Sequence, residues 1–505
     1  MSSDESESNL LPSVGRWGAV ARRVRTRRAV MLVVASVVLP GSAQLLAGNK
    51  TVGRAALRVW ALLLVGLPFG IWWSGRSGLV SLALHPQALA TIQVSLVVLG
   101  LGWAALLVDA WRLGRPDRQS VGTRVLSTGM VLCLLAGVGT PVAYGVTLAG
   151  AQRDLVTSIF QPGGVGQLYK GRLNIAILGG EPVREGSHSP KDSVVSYTDQ
   201  NAVASVDLST GQTTLISIPR NMQYAQFPPE TPMGKQFPNG FPDFFYGIYP
   251  YGAQHPAMFP GSSNPGATAV EQAMAQLLGI PIHYYVILNI AGFESLVDSV
   301  GGLTIRVTER LPIGGGHHAG ACDMQGGGCQ QLAHNKILGW INPGLQHMDG
   351  YTALWYARSR EGTSDYDRML RERCVLNGML KEMDPLTVLT HFRSLVTSAK
   401  YAIKTDLTTG ALSALVKVAP KTKKSDVTSV LMNPPLIAAV APDVAVARDS
   451  VQGAITASSA PPTFAAASTK PGAKPKKKST ARDAAHPAAA VGGSPVPLSQ
   501  VCSYS

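Results

Sequence analysis

Apolar and polar positions divide this chain near residue 150. Before that point apolar residues come in long runs. Ala55–Ser74, Ala88–Trp111 and Val125–Ala149 each reach the roughly 20 residues a helix needs to cross a bilayer. A fourth run, Ala29–Gly48, is interrupted by Pro40-Gly41 and is expected either to span or to fold back as a re-entrant or interfacial hairpin. From about residue 171 the runs shorten. Leu173–Leu178 ends in Gly179-Gly180 and predicts a buried strand; Ala202–Asp207 and Thr213–Ile218 flank Ser209-Thr210-Gly211 as a hairpin. A capping box at Thr268–Glu271 predicts a helix that stops at Gly279. Strands are expected at Tyr284–Ile290 and Leu303–Thr308, and helices at Gly292–Val300, His347–Ala357 and Tyr366–Met383. Strands interleaved with helices predict an α/β fold, an α/β/α sandwich around a central mixed sheet, preceded by a transmembrane helical region.

Charge orients the apolar part. The chain has a net charge of +14, with 15% charged and 46% hydrophobic residues. Arginines crowd Arg16–Arg28 and Arg112–Arg124, next to apolar runs, as cytoplasmic loops do. Three spans and one hairpin satisfy both groups and put everything after Gly150 outside, multi-pass in the cell membrane; a cleavable signal peptide is not expected. The expected organisation is a basic cytoplasmic N-terminus (1–28), a transmembrane region (29–150), a linker (151–170), an extracytoplasmic catalytic domain (171–447) and a flexible Ala/Pro/Lys-rich tail (448–505). No helix-turn-helix, zinc finger or aromatic stacking platform accompanies the basic runs, which argues against nucleic acid as a partner.

Five cysteines are present. Cys133 falls within an apolar run. Cys322, Cys329, Cys374 and Cys502 follow the last span, and an even count in an exported domain suggests disulfides. Cys322–Cys329, closing a short glycine-rich loop, is the favoured pair, with Cys374–Cys502 as the complement. A zinc site from His317, His318, Cys322 and Cys329 ranks below it, because its spacing fits no familiar pattern.

The stretch Trp355–Arg373 carries the candidate chemistry. It holds five arginines and no lysine, together with four acids. A solvated helix face can mix charges this way. Arginine alone, however, offers a rigid fork for phosphate oxygens. Arg368 and Arg371 share a helix face, and Arg358 and Arg360 share a side where the backbone is extended, so two pairs could converge on an anion. Arg220 follows a predicted strand, where α/β proteins bind ligands. Asp192, after Lys191, is an ordinary turn residue or, opposite arginines, a Mg²⁺ ligand.

These residues, with Leu178-Gly179-Gly180-Glu181, Lys191-Asp192-Ser193, Ser217-Ile218-Pro219-Arg220, Gly279-Ile280-Pro281 and Ser364-Asp365-Tyr366-Asp367-Arg368, resemble the LytR-CpsA-Psr family in its actinobacterial form, in consistent order over about residues 170 to 385. The resemblance implies an enzyme that moves a phosphorylated glycan from a polyprenyl-pyrophosphate carrier to a peptidoglycan hydroxyl. It implies catalytic roles for Asp192, Arg220, Arg358 and Arg360. Lys191, Asp365, Arg368 and Arg371 would bind substrate, and Asp192 and Glu181 would bind Mg²⁺. It also implies an apolar lipid tunnel, for which Val286, Ile287, Leu296, Val297 and Val375 are candidates and equally plain core. Two positions depart from the family pattern: Glu181 stands where Asp is usual, and Lys191 where Arg is usual. A pyrophosphatase that delivers the phosphate ester to water, and a non-catalytic envelope regulator, are the rival functions.

Overall fold

The computed structural model describes residues 27, 30–114, 121–182, 195–314, 337–359, 365–382, 403–459, 495–498 and 502. The chain forms two compact units, Met1–Val156 and Thr157–Ser505.

In the first unit residues 30–38 are helical, and the chain breaks before a short helix α1 (Ser42–Leu46). Gly41 makes the break with φ 96°; a Cβ there would lie 2.7 Å from the Ala56 Cβ and from the Gly53 carbonyl, so the folded-back segment packs directly on the next helix. Then follow α2 (Lys50–Leu84), α3 (Pro86–Leu113) and α4 (Val121–Ile159). These contain three stretches long and apolar enough to cross a membrane, Lys50–Trp73, Pro86–Leu113 and Arg124–Ile159. The buried amide of Gln44 in α1 donates to the Leu106 carbonyl and to Asp109 Oδ2, each at 3.0 Å. It thereby gives the one acid of α3 a partner in apolar surroundings.

The second unit is built on a seven-stranded mixed sheet in the order β11-β10-β3-β2-β1-β4-β9. The strands are β1 (Arg172–Pro182), β2 (Val195–Asp207), β3 (Thr213–Ile218), β4 (Tyr284–Asn289), β9 (Ile403–Thr405), β10 (Thr428–Leu431) and β11 (Val496–Pro497). The helices are α5 (Pro232–Gln236), α6 (Ile248–Gln254), α7 (Pro265–Leu278), α8 (Ile290–Ser299), α9 (Gly350–Arg358), α10 (Asp365–Glu382), α11 (Thr409–Lys424) and α12 (Val444–Ser459). Strand alternation sends neighbouring residues to opposite faces. Ala176, Leu178, Val203, Ile216, Ile218 and Ile287 face α7 and α12. Leu173, Ile175 and Tyr284 pack with Ala411 of α11 instead. The α/β/α sandwich expected from the pattern is the observed fold.

Several boundaries differ from expectation. The helix expected from Thr268 starts earlier, because Asn264 caps it by accepting from the Ala267 N–H at 3.2 Å and Pro265 occupies its first turn. Leu303–Val307 (β5) leaves the main sheet and pairs with β8 (Gly344–Met348); His347 and Met348 are therefore strand, and Asp349 caps α9. A second small ribbon joins β6 (Leu311–Gly314) to β7 (Ile337–Ile341). The ordered fold also runs past Ala447: α12 buries Ala447, Val451, Ala454 and Ile455 in the main core, and β11 extends the sheet beyond β10.

The proposed tunnel residues divide among separate apolar clusters. Ile287 belongs to the core under α7, Val297 and Val375 to a second core around α8–α10, and Val286 packs on the opposite sheet face. Cys374 and Cys502 are paired with Cα atoms 5.3 Å apart. Cys322, Cys329, His317 and His318 lie outside the described residues.

Candidate functional site

The strands of the sheet run so that β1, β3 and β4 finish at the same end at which β2 begins. That carboxyl end is where open α/β sheets bind ligands. Arg220 lies two residues beyond β3. In the β2–β3 hairpin Asn201 stands opposite Ile218, and carrying that register two places further sets Asp199 opposite Arg220. The two side chains form an ion pair, each 22% exposed. Asp199 is delivered by a bulge: β1 pairs Gly179 with Gln200 and Gly180 with Thr198, leaving Asp199 as the extra residue. The guanidinium also lies over the Tyr246 ring, with Cζ 5.7 Å from its centroid. Burial and the nearby Asp243 push the Tyr246 phenol upward, so it remains a hydrogen-bond donor.

Asn289 ends β4 and caps α8 by accepting from the Gly292 N–H at 2.8 Å. Helix α8 packs against both β1 and α9, the helix that ends on Arg358. The contact with α9 is close: a Cβ on Gly350 would fall 2.1 Å from the Glu294 carbonyl. The half-buried Arg358 places its guanidinium 5.4 Å from the centroid of the Trp355 ring.

The α10 arginines are placed differently. Arg371 is 5% exposed. Its Nε donates to the Tyr356 carbonyl at 3.0 Å, Nη2 to the Ser359 carbonyl, and Nη1 to Glu309 Oε1 at 3.3 Å. It therefore satisfies carbonyls left open at the end of α9 and fixes the backbone on either side of Arg358. Arg368, 2% exposed, pairs with Glu372 one turn on. Arg373 is also buried and donates to Ser429 Oγ at 2.6 Å. Burial pulls Arg371 below its ordinary pKa and pulls Arg373 down to about 10. The shared helix face of Arg368 and Arg371 is real, but it points into the protein.

Lys191, Asp192 and Arg360 lie outside the described residues, as do the side chains of Glu181 and Asp365. The backbone of Glu181 stands opposite Tyr197 in β2, and Asp365 opens α10. No group of three or more His, Cys, Asp or Glu side chains poised for a metal occurs among the described residues. Sequence reading missed Asp199, although the hairpin register, once extended, points to it. It also missed the carbonyl-holding role of Arg371, which depends on partners 12 and 15 residues away and leaves no local signal.

The chain is similar to several known proteins. The teichoic acid transferase TagU of Enterococcus faecalis (strain ATCC 700802 / V583), named as a polyisoprenyl-teichoic acid–peptidoglycan transferase, is 28% identical over 212 residues, 42% of this chain and 55% of its own. The protein of the same name from Bacillus anthracis (strain CDC 684 / NRRL 3495) is 27% identical over 133 residues, 26% of this chain and 36% of its own. The chain thus spans about half, or less, of the length of the curated relatives it matches. The crystal structure of B. subtilis TagV aligns over 56% of this chain and 97% of its own, at 18% identity and a TM-score of 0.39. The LytR_cpsA_psr family model matches residues 151–444, which include both the Arg220 hairpin and the Arg358 helix end, and the chain belongs to that family.

Proposed function

We propose that this chain transfers a phosphorylated glycan from a polyprenyl-pyrophosphate carrier to a hydroxyl of peptidoglycan, on the outer face of the membrane. The observation that carries the reading is the Asp199–Arg220 pair at the carboxyl end of the sheet, within a family whose named relatives are teichoic acid–peptidoglycan transferases. Phosphoryl transfer asks a protein chiefly for placement and charge neutralisation. A partly exposed guanidinium, pre-oriented by a carboxylate and an aromatic ring, supplies both.

The acceptor oxygen attacks the phosphorus that carries the glycan. The bond from that phosphorus to the bridging oxygen breaks, and polyprenyl phosphate leaves with the electron pair. The hydroxyl proton passes to a base, for which Asp192 is the candidate. Arg220 and Arg358 stabilise the charge that builds on the bridging and leaving oxygens. Arg371 acts through Arg358, by holding the backbone that carries it. Arg360, Lys191 and Asp365 complete the proposed anion-binding set.

Mg²⁺ would suit the carboxylates assigned to it, because hard carboxylate oxygens beside phosphate favour this ion. Glu181 and Asp192 would hold it, and it would neutralise phosphate oxygens. Arginines flanking the apolar runs support an outward-facing catalytic unit. A Cys374–Cys502 disulfide would fit that compartment, and protection of both thiols from alkylation until reductant is added checks it.

The test is transfer from lipid-linked glycan to peptidoglycan by the full chain in detergent. Arg220→Ala and Arg358→Ala should each cut product by about a hundredfold while leaving thermal unfolding unchanged. Wild-type transfer by either variant refutes its assignment.

A further inference from the structure

Beside Arg220 the Tyr246 ring that orients it belongs to a larger aromatic group outside the main core. Tyr197, 49% exposed, meets the Tyr246 ring edge-on at 5.4 Å. Phe244 stacks on the other side of Tyr246, with centroids 5.5 Å apart and planes at 23°. Their neighbours Phe227, Phe241, Phe245 and Tyr249 are buried in the main core, whereas these three are not part of it. An exposed tyrosine backed by two half-buried aromatic rings marks a place of contact.

The backbone alongside is held under strain. Tyr224, itself 40% exposed, has φ 58°, a left-handed conformation costly for a bulky side chain. Its N–H donates to the Phe241 carbonyl at 3.0 Å, and Gly240 packs so tightly on it that a Cβ there would lie 2.3 Å from the Tyr224 carbonyl oxygen. Gln223 bridges to Phe244, so the strained turn braces the aromatic segment.

We infer that Tyr197, Tyr246 and Phe244 form a platform on which a sugar ring stacks next to the phosphate held by Arg220. This inference rests on the proposed transfer reaction. A pyranose ring has an apolar C–H face and a rim of hydroxyls. The aromatic faces match the first, and the phenols of Tyr197 and Tyr246 with the carboxylates of Asp199 and Asp243 match the second. A polyprenyl chain would gain nothing from the phenols and carboxylates. The glycan is bonded directly to the phosphorus under attack, and the acceptor hydroxyl belongs to a sugar too. Donor and acceptor therefore share the chemistry that this surface recognises.

The experiment is steady-state transfer by the full chain in detergent, varying lipid-linked glycan and muramidase-solubilised peptidoglycan in turn. Tyr197→Ala should raise the KM for one of them by about tenfold, the scale of one lost aromatic contact, with kcat and thermal unfolding little changed. Tyr197→Phe keeps the ring face and loses one phenol, so its KM should fall between those of the wild type and Tyr197→Ala. A rise confined to the lipid-linked glycan assigns the platform to the donor, and a rise confined to peptidoglycan assigns it to the acceptor. If neither KM moves, the platform is wrong. Wild-type binding of inorganic pyrophosphate, lost in Arg220→Ala, is followed in parallel. Failure there overturns the phosphate reading itself, whatever Tyr197 does.

Discussion

Arg220 and Arg371 are the same residue type, drawn from the same set of motifs, in opposite surroundings. Arg220 stands at a sheet end with its side chain 22% exposed, next to a carboxylate and an aromatic ring. Arg371 is buried, its fork spent on the carbonyls of Tyr356 and Ser359. Arg172 repeats the second pattern at the far end of β1, where it is 1% exposed and donates to Ser205 Oγ at 2.8 Å and the Ser205 carbonyl at 2.7 Å. A guanidinium that faces a ligand must keep nitrogens for it. A guanidinium that ties backbone together must give them up, and burial then makes its loss costly. On the proposed reading, one kind of arginine belongs to the chemistry and the other to the scaffold that aims it.

That contrast predicts separable losses. Arg371→Ala should have the largest effect, about 4 kcal/mol of stability, because it strands buried carbonyls and Glu309; a calorimetric melt reads it, and an unchanged melt breaks the distinction. Arg220→Ala should cost about a hundredfold in transfer rate, near 3 kcal/mol, with no change in the melt. Glu271 sharpens the comparison as a half-buried carboxyl with no ion pair among the described residues. Burial, with Asp406 nearby, raises its pKa from 4.5 to about 8. Below pH 4.5 folded and unfolded forms are both protonated. As pH rises toward 8 the unfolded form ionises first, so this group's stability is lost across that window. Glu271→Gln should therefore stabilise the protein by about 2 kcal/mol at pH 8 and by almost nothing at pH 4, as read by melts at both values. Asp199→Asn should be mildest, roughly a tenfold fall in transfer rate (about 1.4 kcal/mol), since Arg220 keeps its charge and loses only its aim.

The sheet was legible because burial on both faces writes itself into short apolar runs such as Leu173–Leu178 and Thr213–Ile218. Arg220 was legible for a related reason: a strand that ends in proline fixes where the next side chain stands. The Asp199 bulge was less so, as it depends on how two strands pair. The surroundings of the α10 arginines were not legible, because a shared helix face does not say whether it looks outward or inward, and the carbonyl partners of Arg371 come from the end of another helix. Residues 448–459 were read with the tail although they lack its prolines and lysines, because the fit of α12 against α7 depends on contacts between distant segments.

The most direct test follows phosphorus. The full chain is supplied with a lipid carrier labelled in the glycan-proximal phosphate, together with peptidoglycan. The account predicts label on peptidoglycan as a phosphodiester, with unlabelled polyprenyl phosphate released in equal amount and both cut by about a hundredfold in Arg220→Ala. Label released into water at the same rate with or without peptidoglycan, or transfer undiminished in the variant, contradicts it.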